Sequence, residues 1–142
     1  MSKFYQCSTA TFDLTRFPII TITCTKEQPN VQDIIEYKEM REKVFKNIKS
    51  EFILVCDISK IKWMDSEARI AYGKNLKESD KLYGPWIKEV YLVVPNLIVS
   101  IILKGINLVA KPNFEEIICS HLHSAHSKAE LSKEEMLSDT LI

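Results

Sequence analysis

The sequence predicts an α/β fold: a single domain with a mostly parallel sheet of about five strands, an N-terminal antiparallel hairpin and four helices. Three observations carry this. Phe52 to Cys56 is an unbroken apolar run rich in strand formers that ends in Asp57, as expected of a central strand covered on both faces. Ile20, Ile22 and Cys24 alternate with Thr21, Thr23 and Thr25, as expected of a strand with one wet face. Helically spaced apolar residues alternate with further short apolar runs, giving the order ββαβαβαβα. That order implies right-handed crossovers with helices packed on the sheet.

The elements follow in order. Residues 1–10 form an N-terminal segment with a short element around Phe4 and Tyr5, and residues 11–136 form the domain. Thr11 to Arg16 and Phe17 to Thr25 make an edge hairpin broken at Arg16-Phe17-Pro18. Asn30 caps a helix over 31–50, with Asp33 in its first turn, and Val31, Ile34, Ile35, Tyr37, Val44, Phe45 and Ile48 form its apolar half. After the Phe52 to Asp57 strand, Ser59 to Met64 is a loop in which Ile61 and Met64 tuck inward. Asp65 or Ser66 then caps a helix that carries Ala68, Ala71, Tyr72, Asn75, Leu76, Ser79, Leu82 and Tyr83 on one stripe and stops at Gly84-Pro85. Ile87 to Val94 is a second buried strand, and Leu97 to Val109 is a helix apolar nearly all round. Phe114 to Cys119 is a short last strand, Ser120 to about Met136 a last helix, and 137–142 a flexible tail.

Composition narrows the function classes. Of 142 residues, 46% are hydrophobic and 27% charged, ordinary for a globular protein. The 19 basic and 19 acidic side chains leave no net charge, and no basic stripe with interleaved aromatics speaks for nucleic acid. Cys7, Cys24, Cys56 and Cys119 are widely spaced, with no CxxC pair and no secretory leader ahead of them. The expected compartment is therefore the cytoplasm, and the expected role of the thiols is packing. Val90 to Val109 is nearly apolar over the length of a bilayer core, but Pro95-Asn96 divides it, so a strand and a helix are expected rather than a membrane span.

The stretch Asp57-Ile58-Ser59-Lys60-Ile61-Lys62-Trp63-Met64-Asp65-Ser66-Glu67-Ala68 resembles the central motif of STAS domains of the bacterial anti-sigma-factor antagonist (SpoIIAA-like) group, whose pattern runs D-L-S-x-V-x-F-[IM]-D-S-S-G. The element order is similar too, and the resemblance spans Thr11 to Leu131; the Val-Val-Pro-Asn-Leu turn after a strand is similar to that of small stand-alone STAS-like proteins. It implies a non-enzymatic regulatory module acting by protein–protein contact, with a kinase or sigma-factor regulator as partner. In the signalling members the serine after Asp-Ser is phosphorylated. Here Asp65 and Ser66 match, but Glu67 holds the serine position and Ala68 that of the glycine. A carboxylate at a helix start imitates part of a phosphate's charge and cannot be switched. Ser59 and Ser66 remain candidates for modification. Asp57, Ser59, Trp63, Asp65, Ser66, Glu67 and Arg69 form the expected docking surface, with Trp63 as anchor. The plainer reading of Asp65, Ser66 and Glu67 is that they cap and complement a helix.

Two further features are set beside this one. Cys119, His121, His123 and His126 cluster in sequence, and His123 and His126 share a helix face, but the pattern lacks the paired ligands of a zinc site, so no metal or other cofactor is expected. The apolar helix at Leu97 to Val109 is expected either to pack against the core or a second copy in a homodimer, or to cover an apolar ligand or lipid at Leu97, Ile101, Ile102 and Ile106; STAS-like folds resemble the lipid-binding CRAL-TRIO fold in layout. No glycine-rich phosphate loop, GxSxG elbow or HExxH pair is present, and Asp57 has no evident catalytic partner, so no enzyme activity is expected.

Overall fold

The strand Phe52–Asp57 lies inside a six-stranded mixed sheet in the computed structural model, which describes residues 3–141. In chain order the strands are β1 (Phe4–Gln6), β2 (Ala10–Arg16), β3 (Ile19–Cys24), β4 (Phe52–Asp57), β5 (Ile87–Val93) and β6 (Glu116–Cys119). The spatial order is the same, with β1, β2 and β3 antiparallel and β3 through β6 parallel. The expected hairpin is present, but not as an edge with one wet face: β1 takes the edge as a sixth strand, and Ile19, Ile20, Thr21 and Ile22 of β3 are all buried because the last helix covers the second face. Phe17-Pro18, joined by a cis peptide, turns the chain between β2 and β3.

Four helices cover the sheet: α1 (Val31–Phe45), α2 (Ser66–Tyr83), α3 (Leu97–Ala110) and α4 (Leu122–Leu141). Sequential parallel strands joined by right-handed crossovers place every crossover helix on one face. Alternation along the strands then builds two cores. Ile20, Ile22, Leu54, Val90 and Leu92 pack beneath Tyr37, Val44 and Phe45 of α1, while Ile19, Ile53, Val55, Tyr91 and Val93 meet Ala125 and Ala129 of α4 on the other face. A third cluster joins Met64, Ala68 and Ile34 to Val99, Ile102 and Ile106 of α3.

Caps define the helix starts. Asn30 Oδ1 accepts from Asp33 N at 2.9 Å while Asp33 Oδ2 accepts from Asn30 N at 2.9 Å, a reciprocal box. Asp65, rather than Ser66, caps α2 by accepting from Ala68 N at 2.9 Å, and Asn96 caps α3 by accepting from Val99 N at 3.0 Å. Several boundaries differ from the sequence reading. α1 ends at Phe45, well before residue 50, β6 starts at Glu116 rather than Phe114, and α4 continues past Met136 to Leu141, across most of the stretch read as a tail. Ile142 lies outside the described residues.

Two expectations about packing are corrected. Val31 and Ile35 of α1 and Leu82 of α2 are exposed, because only residues turned toward the sheet or a neighbouring helix are covered. α3 is not buried all round: Val99, Ile102, Ile106 and Ala110 face inward, whereas Leu97, Ile98, Ile101 and Leu108 face solvent. It packs against α2 instead of being wedged into the core, so one apolar face stays open.

Candidate functional site

The loop from Ile58 to Asp65 leaves the carboxyl end of β4 beside the loop that leaves β3. Asp57 Oδ1 accepts from Ser59 N at 3.0 Å, a tight Asx-type turn that starts the loop. Glu27 O accepts from Lys62 N at 2.8 Å and from Trp63 N at 3.3 Å, and Lys62 Nζ lies 3.2 Å from Glu27 Oε1. Ile61 and Met64 are buried, as expected, and anchor the loop from below. Between these anchors the chain has no freedom to fold Trp63 inward.

Trp63 is accordingly 47% exposed. The Arg69 guanidinium, one turn into α2, lies 5.5 Å from its ring centroid, in the range of a cation–π contact. Asp65, Ser66 and Glu67 are exposed around it, while Ser59 and Arg69 are half-buried. The structure thus brings the seven residues of the expected docking surface to one end of the sheet. It also shows that they differ in kind. Asp57 and Asp65 are engaged in holding the loop and capping the helix, whereas Glu67 makes no hydrogen bond or ion pair with a described residue.

This end of the sheet continues onto α3. A Cβ placed on Gly105 would lie 3.1 Å from Arg69 Cδ, so α3 runs past the side chain that covers Trp63. Ile98 and Ile101 lie seven and four residues earlier, on the same side of the helix, and both are exposed, as is Leu97 at 72%. Ile98 also shares a shallow depression with Asn96, Ser59, Lys60 and Lys62. Because the strand order never reverses, no crevice forms between oppositely wound halves of the sheet, and the carboxyl end is a surface rather than a cleft.

The residues read as an apolar-ligand set divide. Leu97 and Ile101 point outward and Ile102 packs into the third cluster; Ile106 alone of the four lines a cavity. That cavity, of about 50 Å³, lies between the sheet and the three-helix layer, and a smaller one of about 20 Å³ adjoins it; the two share Ile22, Tyr37, Cys56, Ile58, Met64 and Tyr72 among their linings. Cys56 and Tyr72 keep partial surface although both lie deep, and that surface faces the cavity. Burial pushes the Cys56 thiol up to about 12 and raises the Tyr37 and Tyr72 hydroxyls, so none of the three is an ionised nucleophile at neutral pH.

Sequence reasoning missed two members of this lining. Arg41 falls four residues after Tyr37 and four before Phe45, both buried, and this spacing places it on the inward stripe. Glu116 opens β6 opposite Val90, a pairing that turns it to the helix-covered face. Burial raises its carboxyl pKa, against the hydrogen bond it accepts from Asn107 Nδ2 at 2.5 Å.

The histidines do not come together as a site. His126 turns to the sheet, its Nε2 3.0 Å from Thr21 Oγ1, with its pKa lowered by burial and then by the Arg16 charge. His121 precedes α4 and leaves its carbonyl to Ala125 N and Ser124 Oγ. Among the described residues no three His, Cys, Asp or Glu side chains are grouped to hold a metal. The four cysteines are unpaired. Among the described residues no helix is long and apolar enough to cross a membrane.

These features define an α/β protein with a mixed sheet, an aromatic-marked surface at its carboxyl edge and a small internal cavity. Comparison with known proteins finds no matching family model and no matching curated relative.

Proposed function

We propose that this chain is a non-enzymatic, cytoplasmic regulatory module of the STAS type that acts by protein–protein contact through the Asp57 to Arg69 junction. The supporting observation is Trp63, a large aromatic held half-exposed under the Arg69 guanidinium on a loop pinned at both sides. Tryptophan and arginine dominate the energetics of protein interfaces, and a fixed side chain loses little entropy when a partner covers it. Ile98 and Ile101 extend the apolar area beyond Trp63. The partner class that the STAS resemblance implies is a kinase or a sigma-factor regulator, and a second copy of the chain would use the same face.

Affinity capture from native extract with the wild-type chain and with Trp63→Ala tests this. A partner retained by the first and lost from the second, with unchanged far-UV circular dichroism, is the expected result. Capture that is indifferent to Trp63 would sink the reading.

A second reading draws on the cavity beneath Leu103 and Ile106 of α3. In it the chain senses a small apolar ligand between sheet and helices. Native mass spectrometry distinguishes the two, because a sensor retains added mass that a contact module lacks.

A further inference from the structure

Arg41 is a buried charge without an ion-pair partner among the described residues. It projects from the middle of α1 toward the sheet and is 4% exposed. Its Nε is buried with no acceptor, and it forms no ion pair with any described carboxylate. The Phe45 ring lies 5.3 Å from its guanidinium carbon, which accommodates a cation but offers Nε no acceptor. Buried charges are ordinarily paired, because the interior offers nothing in place of water.

Arg41 lines the cavity of about 50 Å³, whose wall is otherwise chiefly apolar: Leu54, Leu92, Leu103 and Ile106 among others. Glu116 lines it too, from β6, two strands away from β4. Its carboxylate already accepts from Asn107 Nδ2, and no ion pair joins it to Arg41. Leu103, Phe114 and Glu116 of this lining are partly exposed.

We propose that this slot binds a short-chain carboxylic acid, its carboxylate on the Arg41 guanidinium and its hydrocarbon body against Leu54, Leu92 and Ile106. The proposal rests on the sensor reading above and specifies its ligand. A carboxylate matches the planar guanidinium fork with two parallel hydrogen bonds and neutralises it with a single charge. A phosphate would bring a second charge into a wall with no second cation. Only a carboxylate of about acetate size suits the slot, since benzene, with its six heavy atoms, takes a cavity of about 150 Å³ and this one is about 50 Å³.

The test uses the full chain with acetate as probe, ethanol as its uncharged analogue and chloride at matched ionic strength as control. Thermal unfolding and amide NMR shifts are the readouts. Acetate is expected to raise the melting temperature with concentration and to move the resonances of Tyr37, Arg41, Cys56 and Tyr72. Arg41→Met, which places an apolar chain in an apolar slot, is expected to fold and to weaken acetate binding at least about tenfold; Arg41→Lys keeps the charge without the fork and is expected to fall between. If ethanol binds as well as acetate, or Arg41→Met binds acetate unchanged, the assignment to Arg41 is overturned while the sensor reading stands. If neither probe moves these resonances, both fall.

Discussion

Gly73 of α2 lies against Val109 of α3 so closely that a Cβ on the glycine would sit 2.6 Å from Val109 Cβ and 2.8 Å from the Ile106 carbonyl oxygen. The second contact is to backbone, which cannot rotate aside. Glycine at this crossing sets the distance between the helices and so fixes how α3 roofs the cavity. Gly73→Ala should therefore destabilise by about 1–3 kcal/mol through overpacking, even though alanine favours the helix by roughly 1 kcal/mol. Gly105→Ala should behave oppositely. Its Cβ would meet Arg69 Cδ at 3.1 Å, the body of a flexible side chain that can shift. A small gain, up to roughly 1 kcal/mol by denaturant titration, is expected there.

Asp33 links the first turn of α1 to the neighbouring loop, and its loss should be felt by pH. Lys26 Nζ lies 2.7 Å from its carboxylate, which also accepts from Asn30 N. Burial alone would raise this carboxyl, but the hydrogen bonds from Lys26 and Asn30 outweigh it and hold the pKa below the ordinary 3.8. A depressed carboxyl contributes stability above its unfolded pKa and loses it as pH falls through the folded value. Asp33→Asn should cost about 1 kcal/mol near neutral pH. The difference from wild type should close in acid, below the ordinary value. A gap that persists unchanged at low pH would mean that shape, not charge, is what Asp33 supplies.

Glu116 should show the reverse dependence. Its pKa stands above the ordinary 4.5 because it is buried, so the stability it adds is complete below that value and is lost as pH rises through the raised one. Glu116→Gln keeps an acceptor for Asn107 and should unfold at a higher temperature than wild type near neutral pH. Half-exposure screens the effect, which should stay under about 1 kcal/mol, and the two curves should meet in acid. Destabilisation by Glu116→Gln at neutral pH would instead identify Glu116 as the counter-charge of Arg41 across the cavity.

Much of the fold is legible in the sequence because local signals and burial agree there. The Phe52 to Asp57 run, the Thr/Ile alternation of β3, the Asn30 and Pro95-Asn96 helix starts and the inward Ile61 and Met64 all follow from period and capping. α3 misleads because composition reports how apolar a helix is, not which of its faces finds a neighbour. Leu97 and Leu108 are as apolar as Ile102 and Ile106, and only the Gly73 crossing decides which pair is covered. Arg41 misleads for the converse reason. An arginine is ordinarily a solvated charge, although Tyr37 and Phe45 on either side mark its stripe as inward. The candidate surface is legible as a motif, whereas the division between engaged Asp57 and Asp65 and unengaged Glu67 needs the hydrogen bonds.

Glu67 offers the last test, at the position that the proposed STAS reading equates with a phosphorylated serine. It lies exposed in the first turn of α2, after the cap formed by Asp65, and pairs with no described residue. Glu67→Gln preserves its shape and removes one charge, and the lost interaction with the helix dipole is worth about 0.3–1 kcal/mol, so folding should survive. If the charge also meets a partner, affinity should fall by more than that small loss, because a charge desolvated at a contact is worth more than the same charge in water. Glu67→Ser removes the charge in a form that a kinase can restore. Affinity for the partner captured through Trp63, measured by titration calorimetry, should fall in both variants and recover in Glu67→Ser after phosphorylation. Equal affinity in wild type and both variants would leave Glu67 as a residue that only complements a helix start, and would confine the contact to Trp63, Arg69 and the outer face of α3.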